Sequence, residues 1–143
     1  MRTLVVDASV VGKWFPPLDQ EPLADRAYSL LASWKGGGFR LIAPDLIWVE
    51  IANVLGKSVR QNRCSRGVAE TTLALFRSQN LPTLPASPFM DQALAIAMTH
   101  GRTAYDSLYL ALAVDSGADL VTADEKLVSA LAKQFPVKWL GAI

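Results

Sequence analysis

Hydrophobic residues fall along the chain in two rhythms. Short apolar runs at LVVD (4–7), FRLIA (39–43), ADLVTA (118–123) and VKWL (137–140) read as buried strands. Between them, apolar positions recur every three or four residues, the period of a helix with one face in a core. A short helix is predicted around Ser9–Phe15, where Pro16-Pro17 stops it. Glu21–Trp34 follows, with Pro22 in its first turn and Gly36-Gly37-Gly38 at its end. Pro44 opens a helix running to about Asn62, and Arg66–Gln79 forms another. Leu81–Leu84 reads as a short strand before the loop PTLPASP. Phe89–His100 is helical and stops at Gly101, and Glu125–Gln134 is the last helix. Tyr105–Ser116 differs from the rest: AYDSLYLALAV leaves almost no polar face, as a helix buried on all sides would.

Strands alternating with helices of this length predict an α/β fold, a parallel sheet with helices on both faces. The crossovers in such sheets are right-handed. Ligands bind at the carboxyl ends of their strands, near the point where strand order reverses. No repeat, low-complexity tract or long linker divides the chain, so residues 1–143 are expected to form one domain. A chain of this length buries roughly two-thirds of its unfolded surface.

Composition changes this picture little. The chain is 51% hydrophobic and 19% charged with a net charge of +1, so any nucleic-acid binding must rest on local charge clusters. The longest apolar run, Leu108–Val114, is far short of the roughly 20 residues that span a bilayer. Asp7 interrupts the N-terminal apolar run after four residues, unlike a signal peptide. Cys64 is the lone cysteine, which favours a reducing, cytoplasmic setting.

Candidate chemistry lies in four acids. Asp7 ends the first strand, Asp124 follows the strand LVT by two residues, and Asp106 opens the apolar helix. Each alone reads equally well as a helix cap, and Thr122–Glu125 matches a capping box. Glu50 cannot cap. Its neighbours Leu46, Ile47 and Val54 put it within an apolar stripe, with no Lys or Arg three or four residues away. It either borders that stripe and reaches for water or has a partner from elsewhere. Gathered together, carboxylates repel unless a cation neutralises them. An all-oxygen ligand set without Cys or His suits Mg²⁺ or Mn²⁺, which activates water and stabilises a phosphoryl group under attack. Ser9, two residues after Asp7, can orient a carboxylate or simply start a helix.

The segments VVDASVV, IAPDLIWVEIANVL, AYDSLYLALA and LVTADEKL resemble, in order and spacing, the four acidic motifs of PIN-domain nucleases. The likeness is nearest to the VapC-type toxins of type II toxin–antitoxin pairs and covers nearly the whole chain. It implies an α/β/α sandwich on a parallel sheet of four or five strands. It implies that Asp7, Glu50, Asp106 and Asp124 hold one or two Mg²⁺ or Mn²⁺ ions, with Ser9 and Thr122 as supporting hydroxyls. The implied activity is metal-dependent endonucleolytic cleavage of RNA. The implied partners are a cognate antitoxin, whose C-terminal segment covers the acidic pocket, and a second copy of the chain. A stand-alone PIN ribonuclease of RNA maturation or quality control shares the same motifs, and a non-catalytic PIN module fits an intact acid set less well. An aspartyl phosphotransfer domain is disfavoured, because Ser9 stands where aspartyl phosphatases usually have a second Asp.

Basic residues offer a substrate path. Lys57, Arg60 and Arg63 are spaced by three, and a shared helix face would carry RNA phosphates towards the acids. A solvated helix end explains them equally well. Arg102, just before the Asp106 helix, is within reach of a phosphate or a carboxylate. His100, the one histidine, reads as a helix-end residue beside Gly101. The four tryptophans read as core, with Trp14, beside Lys13, a candidate for a partner face.

Overall fold

A computed structural model describes residues 1–143. Five parallel strands form one sheet: β1 (Thr3–Val6), β2 (Arg40–Pro44), β3 (Thr83–Leu84), β4 (Asp119–Thr122) and β5 (Val137–Trp139), in spatial order β3-β2-β1-β4-β5. Seven helices connect them: α1 (Ala8–Val11), α2 (Ala24–Lys35), α3 (Leu46–Arg60), α4 (Arg66–Ser78), α5 (Met90–His100), α6 (Ala104–Ser116) and α7 (Glu125–Leu131). The predicted parallel α/β/α sandwich is therefore the fold observed. The chain winds outward from β1 to β2 and β3, then returns to lay β4 on the other side of β1. Strand order reverses between β1 and β4.

Strand alternation builds two cores. Leu4 and Val6 of β1, Leu41 and Ala43 of β2 and Val121 of β4 face one way, into a core shared with α1, α2, α3 and α4. Val5 and Leu120 face the other way, against α5, α6 and α7. Helix α6 packs over β1, β2 and β4, and every residue from Ser107 to Ala113 is buried. Its lack of a polar face has this cause. No helix is long and apolar enough to cross a membrane.

Several boundaries differ from the sequence expectation, for local reasons. Helix α2 begins at Ala24, so Pro22 precedes it; Leu23 takes a left-handed conformation (φ +69°) that no helix continues through. The α1 segment stops at Val11 and tightens into a 3₁₀ turn, Gly12–Trp14. Pro44 ends β2 rather than opening a helix. The N–H groups of Ala43 and Asp45 donate to Pro82 and Leu84 across β3, so the proline sits where its missing donor breaks no bond to that strand.

Candidate functional site

The site begins where β1 and β4 end. Asp7 leaves β1 in extended conformation and caps α1, its Oδ1 accepting from the Ser9 backbone N–H at 3.1 Å and from the Ser9 hydroxyl. Ser9 Oγ also accepts from the Ala123 N–H at 2.9 Å and lies 3.4 Å from the Thr122 hydroxyl. Thr122 is fully buried at the end of β4, and its hydroxyl accepts from the Asp124 N–H at 3.1 Å. The two hydroxyls thus tie the strand ends together. Asp124 caps α7 through the Leu127 N–H at 3.1 Å, and its residue is exposed. The expected Thr122–Glu125 capping box does not form, because the helix starts one residue after Asp124 and Thr122 is still strand.

Asp106 also differs from its expected capping role. The cap of α6 is Thr103, whose hydroxyl accepts from the Asp106 N–H at 3.1 Å. Freed from capping, the Asp106 carboxylate accepts from Arg102 at 3.3 Å, a partly exposed pair of small stabilising value. Of its two expected partners, Arg102 has the carboxylate.

Glu50, half-buried on α3, accepts from the Tyr109 hydroxyl at 2.6 Å. Tyr109 stands three residues after Asp106, so one face of α6 brings both to the site. The sequence reading passed over Tyr109, since a tyrosine in an apolar run looks like core. The available signal was its hydroxyl: a buried Tyr O–H needs an acceptor, and Glu50 needed a donor. Burial, Glu50 and the other nearby acids keep the Tyr109 hydroxyl protonated far above its ordinary range. It is a donor at any working pH.

Electrostatics link the acids. Burial pushes the Asp7 carboxyl up to about 6 against the hydrogen bonds from Ser9 and Thr122, and the Glu50 charge pushes in the same direction. Burial likewise raises Glu50, with Tyr109 opposing and Asp106 adding to the rise. Asp7, Glu50 and Asp106 therefore form a chain of mutual repulsion. They do not close into a ready group of three metal ligands. Asp124 is joined to them only through Thr122 and Ser9. Tyr109→Phe is expected to cost about 1–3 kcal/mol in urea denaturation at pH 7, the loss of a hydrogen bond to a charged, half-buried acceptor. Unchanged stability would mean that water serves Glu50 equally well.

A polar cleft of about 410 Å³ leads away from Ser9 and Glu50 to Lys13, Glu21, Lys57 and Arg63. Lys57 lies seven residues, two helical turns, beyond Glu50 on α3. Lys57, Arg60 and Arg63 do not share the expected helix face. Helix α3 ends at Arg60, Asn62 turns left-handed (φ +58°), and Arg63 swings back to pair with Glu21 at 2.8 Å. Arg60 packs beside its own helix at Gly56 and does not line the cleft. Glu21 also accepts from Lys13 at 3.3 Å; burial works to raise its carboxyl, but the two cations outweigh this and hold it below the ordinary range.

An apolar groove of about 550 Å³, lined by Leu46, Val49, Met90, Tyr105 and Leu108, adjoins a smaller pocket that Leu46, Val49 and Tyr105 share with Glu50. Val49 is 66% exposed and Tyr105 61%. Trp14, by contrast, faces no partner: it is 3% exposed, with its indole N–H on the Ala27 carbonyl at 3.0 Å. His100 packs edge-on against Phe135.

The PIN domain model matches residues 4–133, a span that includes all four acids. Ribonuclease VapC3 of Pyrobaculum aerophilum is 31% identical over 137 residues, covering 93% of this chain and 95% of that protein. The crystal structure of PAE2754 from Pyrobaculum aerophilum superposes with a TM-score of 0.71 at 23% identity, covering 99% of this chain and 85% of that one. VapBC2 from Rickettsia felis, solved bound to a DNA fragment from its promoter, gives 0.67 at 14% identity, with 96% and 98% covered. The structural likenesses speak for the fold, and the domain match and the full-length relative for descent: the chain belongs to the PIN-domain family, among its VapC-type members.

Proposed function

We propose that the protein is a metal-dependent endoribonuclease and the toxin of a toxin–antitoxin pair. The observation that carries this reading is the line of mutually repelling carboxylates, Asp7, Glu50 and Asp106, at the edge where strand order reverses. The raised carboxyls of Asp7 and Glu50, each held by a hydroxyl donor, with no nitrogen or sulfur ligand in the set, fit a hard divalent cation. Asp7, Glu50 and Asp106 would hold Mg²⁺ or Mn²⁺, one ion or two, with Asp124 as the fourth and outermost acid. Such an ion, when bound, lowers the pKa of water and neutralises charge on a phosphodiester.

The chain's own residues supply orientation. Ser9 fixes one Asp7 oxygen, while its bond to Ala123 keeps the β1 and β4 ends in register. Tyr109 does the same for Glu50. Arg102 balances part of the Asp106 charge. RNA as the substrate is supported by the kinship to Ribonuclease VapC3.

A protein partner is supported by the apolar groove beside Glu50 and by the fold shared with VapBC2. On this reading a cognate antitoxin covers that side of the site, and two copies of the chain associate in the hetero-oligomer. The setting is the cytoplasm, where a lone, unpaired Cys64 is at home.

The test is cleavage of structured RNA by purified protein with Mg²⁺, with Mn²⁺ and with chelator. Activity is expected only with metal, and Asp106→Asn is expected to reduce it by at least about 100-fold, more than a change outside the ligand set costs. Chelator-resistant cleavage, or full activity in Asp106→Asn, would falsify the metal-dependent reading.

A further inference from the structure

We propose that Lys13, Lys57 and Arg63 form a subsite for a backbone phosphodiester of single-stranded RNA beside the acidic centre, with Glu21 as the built-in anion that aims two of the three cations. The subsite rests on the ribonuclease reading. All four side chains line the one cleft that also contains Ser9 and Glu50, so an RNA strand lying along it meets the three cations as well as Glu50 of the acidic centre. The two Glu21 oxygens are divided, Oε1 to Arg63 at 2.8 Å and Oε2 to Lys13 at 3.3 Å. One carboxylate cannot neutralise three cations. Lys57 makes no ion pair, and the Arg63 guanidinium keeps donors beyond the nitrogen bound to Glu21.

The lining also says what part of the nucleic acid is held. No aromatic side chain faces the cleft, so nothing there stacks a base. Cations without a stacking platform grip phosphates and fix the register of a strand without reading its sequence. Glu21 then has a definite cost and use. It holds Lys13, whose side chain is only 12% exposed, and Arg63 in place, and it weakens binding by one offset charge.

The experiment measures fluorescence anisotropy of a labelled single-stranded oligoribonucleotide, in chelator, over a series of salt concentrations. Lys57→Gln and Arg63→Gln are each expected to weaken binding several-fold and to reduce the salt slope by roughly 0.7, the value of one phosphate contact on a single strand. Glu21→Gln is expected to move both quantities the opposite way. Arg77→Gln, on α4 outside the cleft, is expected to bind as the unaltered protein does, with circular dichroism showing all four variants folded. Unchanged affinity in Lys57→Gln, or an equal loss in Arg77→Gln, overturns the subsite. So does displacement of the RNA by polyglutamate at matched charge, which would assign the cleft to an acidic protein segment. Because binding is read without metal, RNA bound in this pattern but left uncut with Mn²⁺ overturns the nuclease reading, whereas RNA cut normally with Lys57→Gln unaltered in affinity overturns the subsite alone.

Discussion

Asp7→Asn is expected to reduce RNA cleavage by at least about 100-fold while making the protein more stable. The two effects have one origin. Burial and the Glu50 charge hold the Asp7 carboxyl at about 6, against 3.8 for the free group. A folded pKa above the unfolded one means that the folded state binds the proton more tightly. The Asp7 contribution to stability is therefore fully present below pH 3.8, falls as pH rises through the interval up to about 6, and is gone above it. The full interval corresponds to about 3 kcal/mol at pH 7. Asn removes the charge and keeps a side chain that caps α1 as well as Asp does. Urea denaturation in chelator between pH 4 and 7 should show the fall in the unaltered protein and its loss in the variant. Added Mn²⁺ should restore the unaltered protein at pH 7 and do little for the variant. Parallel pH profiles would remove the explanation.

Leu112→Ala is expected to cost about 3–5 kcal/mol, a large share of the 5–15 kcal/mol that holds a typical domain together. Leu112 is fully buried in the core beneath α6, and the same helix holds Asp106 and Tyr109 in place. A cavity there loosens the helix as well as the core. Thermal denaturation should give a lower midpoint, and RNA cleavage at the working temperature should fall with it. A stable variant with reduced cleavage would instead mean that α6 shifts without unfolding.

Much of this architecture was legible in the chain because its signals are local. Continuous apolar runs gave the strands, and the missing polar face of AYDSLYLALAV gave the burial of α6. The boundaries that shifted depended on backbone states that side-chain pattern does not carry. Leu23 and Asn62 both turn left-handed, and the second of these carries Arg63 away from Arg60. Pro44 looked like a helix start because a proline at a strand end is acceptable only when its neighbours face the partner strand, which depends on β3. The positions of Asp7, Glu50, Asp106 and Asp124 on their elements were readable, and their individual partners were not. Thr103 takes the cap expected of Asp106, Tyr109 answers the question posed by Glu50, and Glu21 claims Arg63 from 42 residues away. Each of these pairings joins segments whose proximity exists only once the sheet has formed, apart from Thr103, which lies three residues before Asp106 in the same first turn.

The placement of β1 between β2 and β4 has a consequence during synthesis on the ribosome. β1 is made before its neighbour on the site side, β4, which pairs Leu4 with Asp119 and so arrives more than a hundred residues later. Ser9 has no Ala123 to accept from, and Asp7 no Thr122 beside it, until that strand has emerged. A nascent chain therefore carries three of the four acids without the edge that aligns them. The acidic edge therefore takes shape only after β4 has been made and has paired with β1, and a chain that stops short of Thr122 holds the first three acids in no common frame.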